Sequence, residues 1–341
     1  MTADSGLTKS AGLTPGEADL AMGLADQRDL APELRMACYS FAEEFGRPPA
    51  VVWRVPGTVT LLTSRTGARM TVAAPWGAIV VAAPRDDDVL ELADTRRPGE
   101  KDRMTVAGAA AGRGPSWASH GLDGARAGAS LLVSPELPTG TGVGADTATE
   151  TAIRRCLDDC ASGLSGVTDA CALASDAGVP CVALGTARLP LDLTAAGFRL
   201  VVIDTRIRGD AVPANDTGPD NAGPASDADP AGDAGSTGGE RFPLNVAAAA
   251  IEARDLETLG ALLTAAHRDS PGGEAQDLAV TAALRAGAAG ARAITDGPGR
   301  PVLALVPVSR LPDVRAGISS AFAARGLRVP RLLTFTPADR L

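Results

Sequence analysis

Lysine is almost missing from this sequence: Lys9 and Lys101 are the only two among 32 basic residues, against 41 acidic ones. The net charge is −9 and the isoelectric point about 4.9. A dedicated nucleic-acid binder needs a basic field, so that class is excluded. Aromatic residues make up only 3% of the chain, while 45% is hydrophobic. The core must therefore be built mainly from Ala, Leu and Val. No apolar run reaches the roughly 20 residues needed to cross a bilayer. Met1 to Lys9 lacks the basic start leading into an apolar stretch that marks a secretory leader. The five cysteines are an odd number without dense spacing, which suits reduced thiols in a cytoplasm. With two histidines far apart, His120 and His267, and no nucleophile-elbow pattern, nothing points to a Ser–His–Asp hydrolase.

What is present is length and an uneven charge. A chain of 341 residues is long for one domain and natural for two. Residues 209–240 hold six Asp, one Glu, four Pro and seven Gly, with no Lys or Arg. Such a segment has too little apolar surface to offset the entropy of ordering. It reads as a disordered insertion, either a tolerated surface loop or an acidic interaction tail. The expected organisation is a disordered N-terminal tail over 1–28, a domain over 29–208, this insertion, and a second domain over 241–341.

Hydrophobic periodicity gives a mixed α and β chain. A helix is expected over Leu30 to Glu44. Strands are expected over Val51 to Leu62, Met70 to Val81, Val89 to Leu92, Ala129 to Val133 and Phe198 to Asp204. Thr147 to Leu157 reads as a helix, as do Leu244 to His267 and Leu278 to Ala293. Val302 to Val308, Leu311 to Arg325 and Arg328 to Phe335 read as strand, helix and strand. Arg96, Arg97 and Lys101 read as a solvated turn. Cys156 and Cys160, at i and i+4 with no His at ligand spacing, read as buried thiols rather than a metal site.

Between a strand and a helix lies the Gly-rich loop Pro138-Thr139-Gly140-Thr141-Gly142-Val143-Gly144. Glycines let backbone amides approach an anion, and the start of the next helix adds its positive end. No Gly-Lys-Ser/Thr follows, so this is not the Walker pattern. Here the chain resembles the galactokinase family, within the superfamily that also holds homoserine, mevalonate and phosphomevalonate kinases. Pro138, Gly140, Gly142 and Glu150 match the family loop Pro-x-Gly-x-Gly-Leu-Ser-Ser-Ser-Ala-x-x-Glu. Phe45 to Pro49 followed by Val55-Pro56-Gly57 resembles the entry to the family's sugar-binding signature. Ala82 to Asp87, Leu189 to Leu193, Val202 to Arg206 and Gly287 to Arg292 resemble further family segments, in the family's order. The resemblance implies a two-domain α+β fold of the GHMP-kinase type with the active site in the cleft between the halves. If the chain is active, it also implies ATP and Mg²⁺ as cofactors and a sugar or other small molecule as acceptor; if it is inactive, no cofactor is expected, and charge and hydropathy point to no nucleic-acid or membrane partner. No protein partner is indicated.

The same resemblance locates departures from the family. Aligned on Pro56-Gly57, Thr58 stands where the family has its catalytic Arg. Ser64, Arg65 and Gly67 stand where Glu, His and Asp are expected to grip the sugar hydroxyls. A site that holds hydroxyls through such bonds discriminates strongly by them. Gly166-Val167-Thr168-Asp169-Ala170 aligns with the family's Gly-Ile-Met-Asp-Gln. Asp169 is thus a candidate base that would accept the acceptor's proton, or else a helix cap. In the nucleotide-binding stretch Pro138, Gly140, Gly142, Gly144, Ala145, Asp146 and Thr147, Gly144-Ala145-Asp146 replaces three serines. Asp146 repels a triphosphate unless it serves as a Mg²⁺ ligand. After Arg292 the Gly-rich third motif is replaced by a run holding Asp296, Pro298 and Pro301. Two readings follow. One is a catalytically degenerate galactokinase-like protein, a pseudokinase with a binding or regulatory role. The other is an active ATP-dependent kinase with an altered acceptor, using Asp169 as base, Asp146 as metal ligand and Arg65 or Arg292 for charge.

Overall fold

The computed structural model describes residues 30–64, 66–137, 143–170, 180–206, 242–294 and 300–338. In chain order the elements are α1 (Pro32–Phe45), β1 (Val51–Thr63), β2 (Arg69–Pro84), β3 (Val89–Asp94), β4 (Lys101–Thr105), α2 (Val106–Ala110), α3 (Ser119–Leu122), β5 (Ala129–Pro135), α4 (Ala145–Ala161) and β6 (Gly166–Asp169). They continue with β7 (Cys181–Leu184), β8 (Ala187–Pro190), β9 (Phe198–Asp204), α5 (Phe242–Glu252), α6 (Leu256–Asp269), α7 (Glu274–Arg285), β10 (Gly290–Ala293), β11 (Val302–Pro307), α8 (Leu311–Ala324) and β12 (Arg331–Phe335). This is a mixed α/β chain, as expected. It forms two compact units, and the division passes through β1 after Gly57 and through β2 before Trp76.

The first unit is built on the strand order β4-β3-β5-β2-β1-β6. Its central strands are apolar on both faces, and period-2 alternation assigns their residues to one of two cores. Val51, Val80, Leu131 and Val133 point to the side where α4 brings Ile153, Cys156 and Leu157. Val52, Ile79, Val81 and Leu132 point to the side where α1 brings Leu34, Cys38 and Phe41. Phe41 is fully buried. Helix α1 begins with Pro32 at its first turn and stops at Gly46 in a left-handed cap (φ 65°). The parallel pairing of β1 with β6 sets Arg54 opposite Asp169.

The second unit is built on the antiparallel order β10-β11-β9-β12. Helices α7 and α8 cover one face, with Ala279, Ala283, Ile318 and Phe322 packed on Val201, Ile203, Val302 and Ala304. Helix α6 runs against β10 so closely that a Cβ on Gly290 would lie 1.9 Å from the Gly260 carbonyl oxygen. The N-terminal part of β2, Met70 to Val72, pairs with β7 in this unit.

Several expectations are corrected here. Leu244 to His267 is two helices, because Arg254 adopts a left-handed φ of 56° and Asp255 caps a new helix by accepting from the Thr258 amide at 2.9 Å. Leu278 to Ala293 is not one helix either. Helix α7 ends at Arg285, Gly287 turns the chain at φ 100°, and Gly290 to Ala293 is a strand. Lys101 opens a strand, whereas Arg96 and Arg97 lie in the expected turn after β3, near the buried Asp94, at 2.7 and 3.9 Å. The 1–28 and 209–240 assignments lie outside the described residues. Among the described residues no helix is long and apolar enough to cross a membrane.

Candidate active site

Asp169 ends β6. Its Oδ2 lies 3.7 Å from Nη1 of Arg54 on the neighbouring strand. Arg54 is in turn forked onto Glu136, with Nη2 donating to Oε1 at 2.8 Å and Nε donating to Oε2 at 3.1 Å. Glu136 Oε2 also accepts from the Gly77 amide at 2.9 Å. Gly77 has no alternative there, since a Cβ would sit 1.8 Å from the Val55 carbonyl oxygen. The side chains of Arg54 and Glu136 are each 14% exposed and that of Asp169 is 21% exposed. The cluster is thus one guanidinium shared by two carboxylates in a partly desolvated place, where such charge-assisted forks are strongest. Neither Arg54 nor Glu136 is marked by the sequence motifs. The available signal was the position of Arg54 two residues before Pro56-Gly57 on a strand.

The other site positions divide between the units. Thr58 and Gly144 meet in the second unit. Gly144 has a φ of 67°, and a Cβ there would lie 2.5 Å from the Thr58 amide nitrogen and 2.8 Å from its Oγ1. The first serine of the family loop therefore has neither the backbone conformation nor the room to be present at this position. Ala145 and Asp146 open α4, with Ala145 buried and Asp146 half-buried in the first turn; Thr147 is exposed. The Asp146 carboxylate stands at the positive end of the helix, the place that a phosphate would otherwise use. One turn on, burial raises the pKa of Glu150, with a smaller raising effect from the Asp146 charge. Pro138, Gly140 and Gly142 lie outside the described residues, as do Arg65, Asp296 and Pro298.

Ser64 and Gly67 come together in the turn between β1 and β2. The Ser64 hydroxyl is 2.8 Å from Thr66 Oγ1 and accepts from the Ala68 amide at 3.0 Å, and Gly67 turns the chain at φ 84°. Both positions are thereby used to close the hairpin. Arg292 is 5% exposed and donates to the carbonyl oxygens of Leu61 at 2.9 Å and Ala293 at 3.1 Å. His267 is structural in the same manner: its Nδ1 accepts from the Ala293 amide at 3.3 Å, and Nε2 lies 3.4 Å from Asp277 Oδ1. The thiols of Cys156 and Cys160 are buried and free, and burial pushes Cys160 up to about 11. Among the described residues no group of three or more His, Cys, Asp or Glu side chains is arranged to hold a metal ion.

No protein-family model matches the chain. A galactokinase from Streptomyces coelicolor is 28% identical to it over 374 residues, covering 87% of this chain and 95% of that enzyme. Among solved structures, galactokinase from Lactococcus lactis complexed with galactose aligns over 88% of this chain and 97% of its own, at 18% identity and a TM-score of 0.64. Mevalonate kinase from Methanococcus jannaschii aligns over 84% and 98%, at 10% identity and a TM-score of 0.53. The chain is thus similar in sequence to a galactokinase over most of its length, and it has the fold that galactokinase and mevalonate kinase share.

Proposed function

We propose that this chain is a galactokinase homologue that no longer phosphorylates galactose by the family's chemistry and serves as a binding or regulatory protein. The observation that carries this reading is that Arg54, the guanidinium set opposite Asp169, is forked onto Glu136. Phosphoryl transfer is catalysed mainly by positioning and by positive charge on the moving phosphate. The fork onto Glu136 turns the Arg54 guanidinium away from that task. Three further features agree. Thr58 stands at the family's Arg position, Ser64 and Gly67 close a turn where sugar ligands are expected, and Asp146 places a negative charge at the start of α4. These residues fit a nucleotide triphosphate poorly. A Mg²⁺ would have to arrive with ATP, using Asp146 and Glu150 as its oxygen donors.

One observation favours a second reading, an ATP-dependent kinase with an altered hydroxyl acceptor. Asp169 is flanked by an arginine on the adjacent strand, and that arginine is a candidate for the charge missing at Thr58. Calorimetry with Mg·ATP and a coupled assay with galactose separate the readings. Silence at millimolar nucleotide and no ATP consumption above background are expected. Micromolar Mg·ATP binding with turnover of galactose would overturn the degenerate reading. If turnover is seen with any acceptor, Asp169→Asn tests the base: loss of about 10²-fold or more in kcat supports that role, and an unchanged kcat removes it.

A further inference from the structure

Away from the candidate site, the second unit carries a cavity of about 760 Å³, within the range of small-molecule pockets. Two segments build it: the loop between β8 and β9, and the corner between α5 and α6. Its floor is apolar and fixed. Leu191, Ile251 and Leu256 are each no more than 5% exposed, and Phe198 lies half-buried between the two segments.

Both walls are held by their own hydrogen bonds. At the helix corner the Asp255 amide donates to the Ala250 carbonyl at 2.8 Å, and the Asp255 carboxylate accepts from the Thr258 amide at 2.9 Å and from its hydroxyl at 2.6 Å. On the loop, Asp192 Oδ1 accepts from the Ala195 amide at 2.9 Å. The cavity is therefore preformed, which lowers the cost of binding.

The charge at its mouth is one-sided. Asp192, Glu252, Asp255 and Glu257 are set against one guanidinium, that of Arg254. The two aspartates accept hydrogen bonds from residues beside them in the chain, whereas the Glu252 and Glu257 side chains are exposed and take part in no ion pair among the described residues. An anion is repelled by this rim. We propose that the cavity binds a small organic cation, an amine with an apolar body, whose body lies on the Leu191–Leu256 floor and whose ammonium group is met by Glu252 and Glu257. This site is independent of the reading of Asp169, so failure of one leaves the other standing.

The test uses 2-phenylethylamine and its neutral counterpart 2-phenylethanol, titrated into the full chain and followed by calorimetry or ligand-observed NMR. The amine is expected to saturate and to bind about tenfold more tightly than the alcohol, with the advantage falling as salt screens the rim. Glu252→Gln combined with Glu257→Gln changes only exposed side chains. It should remove about tenfold of amine affinity and leave the alcohol unaffected. Ala196→Trp, which fills the cavity from its exposed edge, should abolish binding of both at an unchanged melting temperature. Equal affinity for amine and alcohol would overturn the proposal. So would an absence of saturation up to about 10 mM amine, or wild-type amine binding by the Gln pair.

Discussion

At the level of single residues, the Arg54 cluster is a charge arrangement that stabilises only while it is complete. Breaking one partner of a largely buried pair leaves the other desolvated with its hydrogen bonds only partly met. Glu136→Gln keeps the shape and removes the charge, and it also weakens the acceptor used by the Gly77 amide. It should cost about 2–3 kcal/mol and lower the melting temperature by several degrees, read by thermal denaturation. His267 gives a prediction with a sign. Burial lowers its pKa below the usual 6.5, the Asp277 charge partly opposes this, and Arg292 adds to the lowering. The folded state thus binds the proton less well than the unfolded chain. The stability held in this residue is complete above about pH 6.5 and is lost as pH falls below it. Protonation would also take away the acceptor that Nδ1 offers the Ala293 amide. Wild-type protein should lose more melting temperature between pH 7.5 and 5.5 than His267→Gln does; identical pH profiles would refute this. Sequence motifs mark Asp169 but not its neighbours, because Arg54 and Glu136 lie 82 positions apart and meet only through strand order. Likewise Ser64 looks like a failed sugar ligand in the sequence, and only the hairpin shows what it does instead.

At the level of elements, runs rich in Val, Thr and Ile located most of the strands because the central strands of the first sheet are apolar on both faces, and period 3.6 located the amphipathic helices that cover them. The errors fell where one residue overrides a continuous pattern. Nothing in the apolar spacing of Leu244 to His267 shows the break, yet Asp255 followed by Thr258 is a readable helix start. Gly287 and Gly290 end the α7 pattern for different reasons: the first needs a left-handed turn, and the second allows α6 to touch β10. This difference can be measured. Gly290→Ala puts a Cβ against the Gly260 carbonyl and should cost about 3 kcal/mol or more. Gly326→Ala meets nothing within 4 Å and changes only a turn at φ 66°, so it should cost about 1 kcal/mol. Urea denaturation of both variants gives the comparison, and equal losses would contradict the close helix–strand approach.

At the level of the whole molecule, charge is the property most unevenly distributed. Residues 209–240 carry seven carboxylates and no Lys or Arg, against a net charge of −9 for the chain, so a deletion variant has a net charge of −2. It should elute from an anion-exchange column at clearly lower salt than the full chain, and it should lose solubility near its new isoelectric point. Unchanged elution would mean that these carboxylates do not set the protein's outward charge. The division into two compact units cuts β1 and β2 within single strands, where neither composition nor periodicity marks it in the sequence.

The contact between Gly144 and Thr58 limits what position 144 can carry. A serine there would drive its Cβ to within 2.5 Å of the Thr58 main-chain nitrogen, in a left-handed turn that tolerates side chains badly. Any hydroxyl placed at this point comes with a folding penalty, so a library randomised at position 144 and sorted for folded clones is expected to return glycine far ahead of every side chain.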